Sequence, residues 1–484
     1  MKRCAGIAWI TARLLLLLPM AGSVSVWAED DPELEQYFIA NAAYNRKLYP
    51  VAVEQFRGFL KKHGTHPKAD LARQGLGLSQ YALKQYDKAI PHFAALLAKP
   101  KLDKAIDRER LIMLQGQCML HGTKKDEARQ LFIAQLDKLR NPIYKAAALA
   151  AICDVSFGRK EWDTVVEWTA KLLAANPVPD QAARGLYQRG FAYYRTERLK
   201  DAADALAKVA ALEAAPAWKT RAAYLLGECH NSLKQFDQAE PAFAAALPGL
   251  SGSDAAECQY RLGLTRFLLA RFEAAAADFA AYLKQAKPDA KGQPAPHVGE
   301  ARFYIARSLL ELEDYKGAER KFSELARAED PIAAKANLWW ARVFSRRKDN
   351  FDRSAQILGE AVQRFKKSPM LDDIEFDYAN ALMSSKTPDW KKASDALSHV
   401  EGRRKFGQMA EVIAQRATCL HKHKDFNGSL QTTDRFLAGF ADHPLTGDVR
   451  FMRAENLFLL NRGDEAAKAY TAFLSAHKDH GNVP

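Results

Sequence analysis

Residues 77–93 read GLSQYALKQYDKAIPHF, and residues 227–243 read GECHNSLKQFDQAEPAF. In both, a small residue (Gly77, Gly227) is followed twelve positions later by Ala (Ala89, Ala239). An aromatic stands three residues before that Ala (Tyr86, Phe236), and Phe stands four after it (Phe93, Phe243). The same spacing recurs along the chain as Ala40/Ala52, Gly116/Ala128, Gly190/Ala202, Gly263/Ala275, Ala306/Ala318, Ala381/Ala393 and Ala454/Ala466. Cys153/Val165 and Ala417/Ser429 keep it with other small or modest side chains, and Ala341 pairs with Ser354 or Ala355. That makes about twelve units, the signature of a repeat architecture.

The repeated unit is helical. Small residues are wanted where two helices cross closely, because side-chain bulk sets the interaxial distance. The aromatic four residues after the Ala lies on the same face, one turn on. The bulky residue three before it (Tyr49, Tyr86, Trp162, Phe272, Tyr315, Phe426 among others) plugs the groove between paired helices. Lys84-Gln85 and Lys234-Gln235 are short polar connectors that suit an antiparallel hairpin, and Pro67, Pro142, Pro177, Pro216, Pro331, Pro369 and Pro444 mark unit ends, where a missing amide donor does little harm. The expected fold is all-α: an α-α superhelix of antiparallel hairpins over residues 34–478.

Composition agrees. Of 484 residues, 48% are apolar and 27% charged, which is globular. Only 20 Pro and 26 Gly are too few for the regular turns of a β-sandwich. The first 28 residues read as a secretory signal peptide: Lys2 and Arg3, an apolar run from Leu14 to Trp27, then Val26-Trp27-Ala28 before Glu29. No later stretch is long and apolar enough to span a bilayer. Cys4 precedes the apolar core, so no lipid-anchor motif is present, and the expected location is exported, periplasmic or envelope-associated. Without residues 1–28 five Cys remain, an odd number, so at least one thiol is unpaired. Cys118, Cys229 and Cys419 each stand two positions after a small residue and read as buried packing; Cys118–Cys153 and Cys229–Cys258 are open as bridges between neighbouring repeats.

At this point the units resemble tetratricopeptide repeats, which share the small residue, aromatic, Ala, Phe and terminal Pro. Spacings between the Ala positions run from 36 to 39, with one of 43, against a family norm of about 34. That longer unit is similar to repeats of bacterial envelope proteins, notably the β-barrel assembly lipoprotein and the Tol-Pal-associated coordinator; the missing lipidation Cys and coiled coil are departures from them. The resemblance implies a non-catalytic scaffold whose first helices line a concave groove for partner proteins, envelope or outer-membrane assembly components among them. It places an aromatic stripe on that groove, Tyr187, Tyr224, Tyr260, Phe303 and Tyr378 with Phe451, joined by Tyr194, Arg195, Arg342 and Arg346. Inter-repeat packing explains the same stripe. Trp339-Trp340 reads as core.

The 43-residue interval holds the Pro/Gly/Lys stretch 288–297, read as a linker between units 1–7 (34–287) and units 8–12 (298–478), with 479–484 as a tail. Residues 335–424 carry 18 Lys/Arg against 11 Asp/Glu. Export argues against nucleic acid, so an acidic glycan, anionic headgroups or an acidic protein segment are the expected partners of this region, beside a plain solvated face. Phe451, Phe458 and Phe473 are expected to leave an apolar end for a partner or a second copy.

Chemistry is not evident. Asp372, Asp373, Glu375 and Asp377 read as acids at a helix start, favoured by the macrodipole. A lytic transglycosylase would need a catalytic Glu followed by Ser, and the chain has no Glu-Ser pair. Gly75-Leu76-Gly77 lacks the flanking strand of a phosphate loop. His421 and His423 fall on different helix faces. No catalytic residue, cofactor or metal ligand is assigned. The alternative reading is a peptidoglycan- or polysaccharide-binding component, which requires flat, exposed Trp or Tyr faces.

Overall fold

The computed structural model describes residues 33–288, 292–293, 295–328, 331–477 and 481. The signal-peptide reading (1–28), most of the tail and part of the linker lie outside these residues. The described residues form 24 α-helices in two compact units, divided between Leu233 and Lys234.

The first unit contains α1 (Glu35–Asn45), α2 (Tyr49–Lys62), α3 (Ala69–Ala82), α4 (Tyr86–Leu97), α5 (Arg108–His121), α6 (Lys125–Gln135), α7 (Pro142–Gly158), α8 (Trp162–Ala174), α9 (Pro179–Arg195), α10 (Leu199–Ala210) and α11 (Pro216–Ser232). The second contains α12 (Phe236–Ala246), α13 (Gly252–Leu268), α14 (Phe272–Gln285), α15 (Val298–Glu311), α16 (Tyr315–Ala326), α17 (Ala333–Arg347), α18 (Phe351–Arg364), α19 (Leu371–Ser384), α20 (Trp390–Arg403), α21 (Met409–Lys422), α22 (Phe426–Gly439), α23 (Thr446–Leu459) and α24 (Gly463–Ala476). Within each unit consecutive helices pack on one another, and odd-numbered helices also touch odd-numbered ones: α7 with α9, and α15 with α17 and α17 with α19. The even-numbered helices do not approach each other as closely. Each unit therefore keeps its first helices on the inside of the stack.

The periodic residues take the places their chemistry requires. The bulky plug is the first residue of its helix at Tyr49, Tyr86, Trp162, Leu199, Phe236, Phe272, Tyr315, Phe351, Trp390 and Phe426. The small position after it is sealed from solvent at Ala52, Ala89, Ala128, Val165, Ala202, Ala275, Ala318, Ala393 and Ser429. The glycines of the first helices face rings or branched side chains sixteen residues on: Gly77 meets Phe93, Gly116 meets Phe132, Gly190 meets Leu206 and Gly263 meets Phe279. In the ninth unit the register falls on Ser354, which is fully buried with its hydroxyl 3.2 Å from that of Ser345. One extra residue in the turn accounts for the shifted spacing.

The hairpin turns are built alike. Lys84, Glu197, Glu313 and Lys424 adopt positive φ, and the next amide reaches back to the carbonyl five residues earlier (Gln85 to Gln80, Arg198 to Tyr193, Asp314 to Leu309, Asp425 to Leu420, each 2.8–2.9 Å). This is the helix-ending motif that usually favours Gly. Here it uses Lys, Glu, Ala270 or Asn461, at a cost of about 1 kcal/mol each. Asp314, Asp389 and Asp425 then cap the following helix by accepting from Gly317, Lys392 and Gly428.

Three expectations change. The stretch 288–297 reads in sequence as the boundary, whereas the two compact units divide between Leu233 and Lys234. The helices α14 and α15 that flank the stretch pack directly, with Phe279 stacked on Tyr304 at 5.4 Å and Tyr260 on His297 at 4.4 Å. At the C-terminal end Phe473 is buried beneath Phe451, and only Phe458 of that trio stands out, 62% exposed. None of the five described cysteines forms a disulfide, so neither bridge left open by the sequence is made, and all five are buried. Burial pushes the thiols of Cys118, Cys229 and Cys419 up to about 12, so they act as small apolar groups rather than nucleophiles.

Between α7 and α9, Asp154 is nearly buried, 2.5 Å from Arg184 and 2.7 Å from the Gln188 amide. Burial raises its carboxyl to about 6 against the opposing pull of Arg184 and Gln188. A raised acid binds its proton more tightly in the folded state. The folded chain therefore holds more protons than the unfolded one between about pH 4 and 6, and stability falls as pH rises through that window. Relative to Asp154→Asn, the wild type should lose at most about 3 kcal/mol between pH 4 and pH 7; urea titrations at the two pH values measure it, and a constant difference would refute the burial argument. A second pair isolates the close crossing. A Cβ at Gly116 would collide with the buried Phe132 ring, whereas one at Gly158 meets nothing within 4 Å. Thermal melts should show Gly116→Ala destabilising by about 1–2 kcal/mol, overpacking outweighing helix propensity. Gly158→Ala should stabilise by up to about 1 kcal/mol.

Candidate functional site on the face of the first helices

The residues expected on the groove separate by depth. Tyr260 is 5% exposed and Phe303 1% exposed. Tyr260 is packed among Phe279, Tyr282 and His297, and Phe303 among Tyr304, Phe322 and Trp339. These two are corrected from groove wall to interior. The reason is geometric: a residue three before the small position shares its helix face, and that face meets the partner helix. Tyr378 is half-buried against the core of units 9 and 10, its ring beside Gly359.

In the first unit Tyr187, Tyr194 and Tyr224 are half-buried. The Tyr187 ring packs on Phe191 and Trp218, with centroids 6.2 and 5.8 Å away. Arg195 is exposed and stands 5.9 Å above Trp162, and Arg221 covers Trp218 at 5.2 Å. Aromatic rings here are held by one another and fringed by guanidinium groups.

In the second unit the inner row is more ordered. Trp339 on α17 is half-buried, not core as expected, and lies between two guanidinium groups: Arg307 of α15 at 3.4 Å and Arg342 of its own helix at 4.6 Å. Glu311 accepts from Arg307 and from Arg346, each at 2.8 Å, tying α15 to α17. Asp377 accepts from Arg342 at 2.6 Å, tying α17 to α19. Burial works to raise the Glu311 carboxyl, but hydrogen bonds from Arg346 and Arg307 outweigh it and hold it below the usual range. Burial lowers Arg307 despite Glu311, and Arg346 and Arg342 add to the lowering. It raises Asp373, with Arg342 opposing and Asp377 and Asp372 adding to the rise. Lys335 lies 4.4 Å over the Phe303 ring.

Of the expected residues, Arg342 and Arg346 thus meet in one row. Arg307, Glu311, Trp339 and Asp377 belong to it and were missed. A signal was present: Glu311 and Arg346, like Arg342 and Asp377, are 35 residues apart, as are Ala306 and Ala341. Residues one repeat apart on adjacent first helices are neighbours, so opposite charges at that offset mark a pair.

The row has no convergent acid, base and nucleophile. Asp372 and Glu375 are both engaged by Arg403, and His421 bonds Asn456 at 2.7 Å. Among the described residues no group of three His, Cys, Asp or Glu side chains is placed to hold a metal ion, and no helix is long and apolar enough to cross a membrane. What the row offers is a fixed line of guanidinium donors around an indole, suited to acceptor groups such as carboxylates.

A family model described as tetratricopeptide repeat matches residues 39–107 and 303–370. No curated protein matches the chain. Among solved structures, the C-terminal part of a TPR repeat-containing protein from Cytophaga hutchinsonii is 12% identical, covering 54% of this chain and 98% of that one, with a TM-score of 0.42. Naa15/Naa10 bound to HypK-THB is 13% identical, covering 94% of this chain and 70% of that one, with a TM-score of 0.37. The APC/C hetero-tetramer Cut9-Hcn1 is 11% identical, covering 93% and 95%, with a TM-score of 0.30. At such scores these likenesses say nothing further about this chain. The family match identifies tetratricopeptide repeats at residues 39–107 and 303–370, and the recurring small–aromatic–Ala–Phe unit and stacked hairpins are of the same kind elsewhere in the described residues; such repeats indicate a protein–protein interaction scaffold.

Proposed function

We propose that the chain is an exported, non-catalytic scaffold of a bacterial cell envelope that holds segments of partner proteins on the inner face of its first helices. The observation that carries this reading is the Arg307–Trp339–Arg342–Arg346 row. Its guanidinium groups are pre-oriented by Glu311 and Asp377, and each retains N–H donors for a partner's carboxylates or backbone carbonyls. Pre-orientation lowers the ordering cost of binding. Export rests on the apolar run before Glu29 and on the envelope-type repeat length.

The polysaccharide alternative draws no support from the aromatic side chains. Sugar stacking needs an open ring face, and cations lie over five of the six described Trp rings: Lys171 over Trp168, Arg353 over Trp340, Arg221 over Trp218, Arg195 over Trp162, and Arg307 and Arg342 over Trp339.

Crosslinking capture from envelope fractions tests the groove. Arg346 is on the surface, so Arg346→Glu should keep its circular dichroism and melting temperature while recovering a partner at least about tenfold less well than wild type. Equal recovery by Arg346→Glu and Trp339→Leu would remove the inner row from the binding surface. Location is tested separately by mass spectrometry of the protein from its host. The expected mature N-terminus is Glu29 in the periplasmic fraction; a chain retaining Met1 in the cytosol would contradict export.

A further inference from the structure

The basic region of the second unit has a second property, separate from the inner row. In each hairpin there the first helix runs the same way, so the C-terminal ends of α13, α15, α17, α19, α21 and α23 lie along one edge of the stack. On this edge the turns after α17, α19 and α21 carry Lys348, Lys386, Lys391, Lys422 and Lys424. All five are exposed, and their side chains make no ion pair or hydrogen bond among the described residues. Three acids of these turns are committed elsewhere, Asp349 to Arg347, Asp389 to the cap of α20 and to Lys392, and Asp425 to the cap of α22, while Asp352 and Asp395 remain exposed beside five unpaired lysines. The turns after α19 and α21 are neighbours in space, since His423 acts on the Asp389 carboxyl.

Cations alone would not single out this edge. A helix C-terminus attracts Lys through its dipole, and the opposite edge has exposed Lys366, Lys367 and Lys405. The apolar residues do single it out. Among the described residues, the exposed large hydrophobic side chains of the second unit are Leu268, Leu312, Phe458, Leu459 and Leu474. The first four stand at the ends of α13, α15 and α23, on the same edge and on both sides of the lysine turns. An exposed Leu or Phe gains nothing from a helix dipole.

We infer that this edge is a peripheral docking surface for a bilayer rich in anionic lipid. Lysines of three consecutive turns meet the headgroup phosphates, and Leu268, Leu312, Phe458 and Leu459 enter the interface on either side. Unpaired lysines beside separate protruding apolar side chains suit a fluid headgroup layer, which accepts each independently. A folded acidic partner would instead need the apolar residues gathered into one patch. The site is independent of the inner row, so a scaffold seated by this edge leaves its first helices free for partners.

The test is co-sedimentation of the purified full chain with phosphatidylcholine vesicles, with and without about one-third phosphatidylglycerol. Any contribution of residues 1–28 is common to all variants. Binding is expected only to the anionic vesicles and is expected to be lost at high salt. Lys386→Glu/Lys391→Glu/Lys422→Glu should lower the partition coefficient at least about tenfold, and Leu312→Ser/Phe458→Ser at least about threefold. Lys366→Glu/Lys367→Glu/Lys405→Glu, the same charge change on the opposite edge, should leave it within about twofold. All substituted residues are exposed, and circular dichroism verifies the fold. The inference is overturned by equal binding to neutral vesicles, by an equal loss in the opposite-edge variant, or by indifference to the apolar substitutions. Capture of soluble polyglutamate without vesicle binding would likewise overturn it, assigning the edge to an acidic polypeptide.

Discussion

The structure depends on one close approach, repeated along the chain. Within a hairpin a Gly or Ala of the first helix takes the ring or branched side chain that the second helix offers sixteen residues later. Gly116 against Phe132 and Gly77 against Phe93 leave no room for a Cβ. With that distance set, the turn must be tight, and the chain accepts positive φ at Lys84, Glu197 and Ala270 to make it so. The backbone strain is small beside the apolar area that the crossing removes from water. The ninth unit shows how rigid the requirement is. Its turn is one residue longer, yet Ser354 rather than Ala355 takes the sealed position, because the crossing fixes the register and the turn absorbs the difference.

Stacking these hairpins brings first helices against first helices, and this second contact creates the inner face. Pairs such as Arg346–Glu311 and Arg342–Asp377 are partly exposed, and ion pairs of that kind each contribute little to stability, about 0–1 kcal/mol. Their effect is on geometry. They hold Trp339 between two guanidinium groups and fix the direction of the remaining donors. The lysine turns do the opposite: with no carboxylate assigned to them, their charge is left for a partner. The second unit thus carries two kinds of charged surface, one paired within the protein, the other exposed and unpaired.

Most of the hairpin was legible in the sequence. The plug residues Tyr86, Trp162 and Phe426 each begin a helix, and the sealed positions follow them as the period requires. The groove was read less well. The stripe containing Tyr260 and Phe303 was open to groove or packing; it lies on the same side of its helix as the small residue, so these two turn inward to packing. The inner face is made by positions rotated from it, such as Trp339 and Arg342. Trp339 read as core and Arg342 as a groove residue, and the 35-residue offset is what links Arg342 to Arg307 and Asp377. The 288–297 stretch misled for another reason. Pro, Gly and Lys describe how the connecting chain behaves, not whether the helices beside it touch, and Phe279 stacks on Tyr304 across it.

That the chain is built of helical hairpins follows from its residues alone, because period, residue size and turn polarity are local properties that a linear reading captures. So does the excess of positive charge concentrated between residues 335 and 424. Which of those cations are paired emerges from the packing of the helices. Arg342, Arg346 and Arg403 are engaged by carboxylates one repeat or one helix away, whereas Lys348, Lys386 and Lys424 are not. Pairing depends on distance between neighbouring helices, and that distance is set by the close crossings and the stack rather than by any stretch of sequence read alone.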